Sequence, residues 1–253
     1  MSATNRGRRY DRAVLQVCLN GARRRADCPG LPVTAAELAV AARAAVDAGA
    51  EDIHLHPKDS HGRDTLNAAA VAQVLDAVRT AVPGIPVGVT TGAWAEPDPH
   101  RRAEAVRAWT VLPDHASVNW HEPGADLVAA ALLDMGVAIE AGLYSGTDGP
   151  DHFRRSPHAP HVLRILAEVV DTDPATAEPA ARALLAQLGA DLPAPVLLHG
   201  ENESAWPVLR LAARLNLDTR IGLEDVLHDE DGKPVQDNAT LVQAARAVIT
   251  THT

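Results

Sequence analysis

Apolar residues fall along this chain in short, nearly unbroken runs, separated by longer stretches with helical spacing. The runs occupy residues 13–19, 52–56, 86–91, 116–120, 137–144, 166–171, 195–199 and 219–224. A strand covered by helices on both faces reads as such a run, whereas a half-exposed strand alternates. The stretches between, such as 34–48 and 66–81, carry Ala and Leu at three- and four-residue spacing. Thr34 followed by Glu37 has the residue types of a helix capping box, and Gly49 stands where a left-handed residue ends the same helix. Eight strand–helix units in series, with no low-complexity linker, predict an α/β fold, a closed (β/α)8 TIM barrel in one domain over residues 1–253. Residues 1–12 are expected to be a flexible N-terminal segment. The least distinct strand is 166–171, which also reads as the tail of a helix. An open doubly wound sheet would carry a glycine-rich phosphate loop after its first strand, and Asn20-Gly21 followed by an arginine run is not one.

Composition narrows the partners. The 253 residues are 46% hydrophobic, ample for a large core, and the formal net charge of −10 argues against a nucleic-acid partner. No apolar run approaches the roughly 20 residues needed to span a bilayer. The polar, basic start lacks the apolar stretch of a signal peptide. Only Cys18 and Cys28 are present, Cys18 within an apolar run, so a reduced, cytoplasmic protein is expected.

Barrel enzymes place their chemistry at the C-terminal ends of the strands. The second strand ends Ile53-His54-Leu55-His56, and alternation puts both histidines on one face, inward if Ile53 and Leu55 meet the helices. Two imidazoles so spaced can share a metal ion, although paired core histidines satisfied by hydrogen bonds show the same spacing. The eighth strand reads Arg220-Ile221-Gly222-Leu223-Glu224-Asp225, with Arg220, Gly222 and Glu224 on one face by alternation. In a closed barrel the eighth and second strands flank the first, so Glu224 can reach His54 and His56. Two histidines and one carboxylate leave open metal positions, the pattern of a catalytic zinc site, and one that also accepts other divalent transition metals. A simple Arg220–Glu224 ion pair is the alternative. Further polar residues converge on the same mouth: Asn20-Gly21, Thr90-Thr91-Gly92, Ser117, Asn119 and Glu140, with Trp94 and Trp120 just beyond. His199 lies near the mouth but without ligand spacing.

The segments Leu31-Pro32-Val33-Thr34, His54-Leu55-His56 with Asp59 and Gly62, Thr90-Thr91-Gly92, and Arg220 to Asp225 resemble the beta-keto acid cleavage enzymes, which include 3-keto-5-aminohexanoate cleavage enzyme. The resemblance runs from Asn20 to Asn238. It implies a zinc-dependent barrel, homo-oligomeric and tetrameric, that converts a beta-keto acid and the co-substrate acetyl-CoA into acetoacetate and a new acyl-CoA. By that resemblance His54, His56 and Glu224 hold the metal, while Arg220 and Asp225 form the dyad that removes the C2 proton. Asp225 has this role from the resemblance alone, because alternation points it away from the barrel axis. Glu140 joins the catalytic set, and Asn20, Arg23, Thr90, Thr91, Gly92, Ser117 and Asn119 fall at substrate-binding positions.

Three departures stand out. Arg23 replaces a glutamate found in relatives that act on an amino-substituted keto acid, and it disfavours a cationic tail if it faces the mouth. Lys58 stands where an arginine usually follows the histidine pair, and the loops between the fourth and fifth strands are short. Two rivals differ in class. An amidohydrolase-type hydrolase would carry its histidine pair on the first strand and end the eighth in aspartate, a poor match. A non-catalytic metal- or metabolite-binding barrel would not need Arg220, Glu224 and Asp225 intact.

Overall fold

The computed structural model describes residues 13–171 and 173–252, so the flexible segment expected at residues 1–12 lies outside the described residues. Eight strands follow in order: β1 (Leu15–Cys18), β2 (Asp52–Leu55), β3 (Val87–Thr90), β4 (His115–Asn119), β5 (Ala138–Tyr144), β6 (Arg164–Val169), β7 (Val196–Gly200) and β8 (Thr219–Ile221). Helices α1 (Ala35–Asp47), α2 (Ala68–Ala81), α3 (Pro99–Arg107), α4 (Ala125–Asp134), α5 (Gly149–Arg155), α6 (Pro174–Leu188), α7 (Ala205–Arg214) and α8 (Asn238–His252) follow the strands in turn. All strand neighbours are parallel, in the order β7-β6-β5-β4-β3-β2-β1-β8. A parallel bridge between Leu197 and Asp218 and a 2.8 Å hydrogen bond from Leu198 N to Asp218 O bring β7 beside β8 and close the ring. This is the TIM barrel that the eight apolar runs predict.

The local rules explain the element ends. Thr34 Oγ1 accepts from Glu37 N at 3.3 Å, and the Glu37 carboxylate accepts from Thr34 N at 2.9 Å, completing the capping box of α1. Such a cap is worth about 1 kcal/mol. The run at 166–171 is a strand, not a helix tail: β6 begins at Arg164, is buried throughout and pairs on both sides. β8 is shorter than the apolar run. A Cβ on Gly222 would lie 2.0 Å from Cys18 O, so the chain passes hard against β1 there and then turns, with Asp225 N and Val226 N both donating to Gly222 O. Glu224 therefore stands on a turn beyond the strand.

The apolar core lies between strands and helices, where Ile53, Leu55, Val87, Val89 and Ile139 are fully buried. The inside of the ring is polar below the mouth. Asp52, His115, Glu140, Arg164 and Gln16 meet there, all buried. His115 reaches Asp52 at 2.9 Å and Glu140 at 3.1 Å, Arg164 bonds Asp52 and stands 2.8 Å from Glu140, and Gln16 donates to both carboxylates. Two carboxylates facing one guanidinium and one imidazolium balance in charge, which is the condition for burying such a group. Cys18 and Cys28 are both buried and free. Among the described residues no helix is long and apolar enough to cross a membrane.

Candidate functional site

At the C-terminal mouth, β2 and the turn after β8 bring His54, His56 and Glu224 together. One ligand atom from each lies within 4.8 Å of the others. Glu224 Oε2 stands 3.9 Å from His54 Nε2 and 3.6 Å from His56 Nε2, and this oxygen is buried without a hydrogen-bond partner. Tetrahedral ligands about 2.0–2.2 Å from zinc stand roughly 3.3–3.6 Å apart, so these atoms need little adjustment to share an ion. An orphaned carboxylate oxygen aimed at two imidazole nitrogens is costly unless a cation completes it. The donor set therefore fits a divalent metal.

The same residues set the charges at the site. Burial opposes ionisation of Glu224, yet Arg220, His56 and His54 together hold it well below the ordinary carboxylate range. Burial, aided by the Arg220 charge, presses His54 down to about 4, which keeps it a neutral donor. Burial also presses on His56, but Glu224 and Asp64 outweigh it and push it up to about 9. Asp64 Oδ2 lies 2.8 Å from His56 Nδ1, leaving Nε2 to face Glu224. This carboxylate behind a ligating histidine fixes ring orientation and tautomer. Lys58 is buried, bonded to Asp64 and to Gly21 O, so it braces that carboxylate and does not face the cavity.

Arg220 Nη2 donates to Glu224 Oε1 at 3.0 Å and to Asp225 Oδ1 at 2.8 Å, while its Nε donates to His199 Nδ1 at 3.1 Å. Asp225 is fully buried, and burial with the nearby Glu224 charge raises it to about 7 against the lowering effect of Arg220. Strand alternation places Asp225 away from the axis. Because β8 ends at Ile221, the turn swings it back to Arg220.

The other predicted residues divide into two groups. Thr90, Ser117 and Asn119 line the cavity together with His54, His56, Trp94, Arg220 and Glu224. Asn20, Thr91, Glu140, Gly92 and Arg23 do not. Asn20 is spent on the backbone of His56, accepting from its N and donating to its O, both at 2.9 Å. Thr91 Oγ1 donates to Ser117 O at 2.6 Å across β3 and β4. Glu140 lies beneath His54, 3.7 Å from its Nδ1. Gly92 makes room for Trp94, whose ring would sit 2.2 Å from a Cβ there. Trp94 in turn stacks on His56, with ring centroids 5.9 Å apart and planes at 9°. Trp120 instead packs on Phe153 and walls no part of this cavity. Arg23 donates to Glu224 O at 2.9 Å and Asn202 Oδ1 at 2.7 Å, fastening the turn rather than reaching the cavity.

Tyr144, Leu166 and Glu168 also line the cavity and were not singled out from the sequence. The signal for Glu168 was present: it alternates with Leu166 on β6, whose strand character is the least distinct in the sequence. Asp64 has no such signal, because a loop carries it back to His56.

A family model for beta-keto acid cleavage enzymes matches residues 12–252. A 3-oxoadipate:acetyl-CoA acetyltransferase from Cupriavidus necator is 32% identical over 80 residues, 31% of this chain and 28% of that protein. Among solved structures, apo ObcA superposes with a TM-score of 0.69 at 17% identity, covering 87% of this chain and 61% of ObcA. A type I 3-dehydroquinate dehydratase from Clostridium difficile gives 0.64 at 12% identity, covering 95% and 92%. The chain thus spans less than two thirds of the length of ObcA and under a third of that of the acetyltransferase. At these identities the structures speak for the barrel alone.

Proposed function

The chain belongs to the beta-keto acid cleavage enzyme family, and on that premise we propose that it exchanges acyl groups between a beta-keto acid and acetyl-CoA. The products are acetoacetate and a new acyl-CoA. The observation that carries the reading is the buried, unpartnered Glu224 Oε2 facing His54 and His56, with Arg220 joining Glu224 to Asp225.

His54, His56 and Glu224 would hold a divalent transition metal such as zinc, which would supply Lewis-acid polarisation of the 3-oxo group. Thr90 and Ser117 offer hydroxyls to the substrate carboxylate, and Asn119, whose Nδ2 donates to Glu122 Oε1 at 3.0 Å, borders the same wall. Arg220, which lines the cavity, and the buried Asp225 bonded to it would act as a dyad that takes a proton from C2, the guanidinium offsetting the charge that develops. The C2 carbanion attacks the acetyl carbonyl, a C–C bond forms and the C–S bond to CoA breaks. The CoA thiolate then attacks the 3-oxo carbon, and the bond between C2 and C3 breaks. The proton taken earlier returns to the C2 carbon, acetoacetate leaves with that carbon, and the acyl group leaves on CoA. Trp94, stacked on His56, shields this chemistry from water.

Incubating the purified protein with acetyl-CoA and a panel of beta-keto acids tests the reading. Acetoacetate and a matching acyl-CoA must appear together in mass spectra. Release of free acid without acyl-CoA would point to a hydrolase instead.

A further inference from the structure

The cavity has three walls. His54, His56 and Glu224 form one, and Thr90, Ser117 and Asn119 the second. The third comes from Tyr144, Leu166 and Glu168, on strands across the ring from β1 and β2. If the 3-oxo group and the carboxylate of a keto acid take the first two walls, its tail meets the third.

That wall is polar in a defined sense. A guanidinium carries donors only, so the 3.1 Å contact from Arg220 Nε makes His199 Nδ1 an unprotonated acceptor. The ring proton of a neutral His199 then sits on Nε2. Burial and the Arg220 charge hold His199 well below its ordinary value, so it is neutral. His199 Nε2 is buried without a hydrogen-bond partner, and Glu168 Oε2 lies 3.5 Å away. The carboxyl of Glu168 is itself buried and lines the cavity, and among the described residues its ion-pair contact is the neutral His199. Arg220 is committed to Glu224, Asp225 and His199, Arg23 to Glu224 O and Asn202, and Lys58 to Asp64.

We propose that Glu168, oriented by His199, selects the tail of the keto acid, accepting an uncharged hydroxyl-bearing tail over an alkyl or cationic one. The inference rests on the keto acid cleavage reading above. A hydroxyl both donates and accepts, so it satisfies the Glu168 carboxyl in either protonation state. An alkyl tail leaves that buried group unpaired. An ammonium would meet the field of Arg220 through the His199 ring.

The test compares kcat/KM for four six-carbon beta-keto acids that differ only in the tail: hydroxyl, unsubstituted, amino and carboxylate. Wild-type holoprotein, Glu168→Gln and Glu168→Leu are measured side by side, each with its metal content. Wild type should favour the hydroxylated acid over the unsubstituted and amino acids by about tenfold or more. Glu168→Gln, which keeps a donor and an acceptor, should preserve that order. Glu168→Leu should bring the ratio of hydroxylated to unsubstituted acid to about one. An unchanged ratio in Glu168→Leu, or wild-type preference for the amino or unsubstituted acid, would overturn the assignment. Absence of turnover with all four acids in metal-loaded wild type would remove the cleavage reading itself, an outcome distinct from turnover without the expected preference.

Discussion

Arg220 and Asp225 meet through a 2.8 Å hydrogen bond from Nη2 to Oδ1, and both side chains are buried. The same Nη2 holds Glu224 at 3.0 Å, so one guanidinium fixes the proposed base and a proposed metal ligand relative to each other. The chemistry of the site depends on that shared anchor.

In the proposed dyad with Arg220, Asp225 draws the C2 proton only when ionised. Burial first, then the Glu224 charge, raises it to about 7, and a cation on Glu224 would lower it. Exchange of the C2 protons of a keto acid with deuterated water, without acetyl-CoA, should therefore fall as pH drops through an apparent pKa at or below about 7. Asp225→Asn should slow that exchange about a hundredfold or more at every pH while its metal content stays full. A pH-independent exchange in wild type would show that another group takes the proton.

Metal affinity should depend on Asp64 although it touches no metal. Its carboxylate lies 2.8 Å from His56 Nδ1 and sets which nitrogen faces Glu224. Asp64→Asn should weaken binding about 10- to 100-fold, read by chelator competition, whereas Glu224→Ala and His54→Ala should abolish it. Equal affinity in Asp64→Asn and wild type would show that His56 needs no such support.

Much of this site is legible in the sequence, and the misses have physical causes. His54 and His56 are found because alternation on a short buried strand fixes two side chains on one face. Glu224 is found although β8 ends at Ile221, since the turn happens to keep its direction. Asp225 is misdirected by the same rule for the same reason. Asn20 and Thr91 carry the right groups at the right level, but the backbone of a neighbouring strand or strand end consumes them. Periodicity reports which way a side chain points, not which backbone atom is waiting for it. The barrel is legible as a whole because each strand is buried on both faces, which leaves a run that needs no partner to be recognised.

The polar cluster inside the ring should make stability depend on pH. His115 loses stability to burial, but Glu140 and Asp52 outweigh that and push it up to about 10, above an unfolded value of about 6.5. A raised folded pKa gives stability that is complete below about 6.5 and is lost as pH climbs towards about 10. The urea midpoint should fall across that window, and His115→Gln should flatten the fall. Truncation in His115→Ala should cost about 3–5 kcal/mol, because two buried carboxylates would then share one arginine.

Trp94 should report on the metal. Its ring stacks on His56 and is 46% exposed, whereas Trp109, Trp120 and Trp206 are buried. Cobalt added to metal-free protein should quench the red-shifted part of the tryptophan emission, and Trp94→Phe should lack that component. Quenching of equal size in Trp94→Phe would place the ion elsewhere.

The central claim is that a carbon–carbon bond is made to acetyl-CoA and another is broken in the keto acid. Acetyl-CoA labelled with heavy carbon in its acetyl group tests it most directly. The account predicts label in the terminal two carbons of acetoacetate and none in the new acyl-CoA. Label recovered only as acetate, or acetoacetate formed without it, would contradict the exchange.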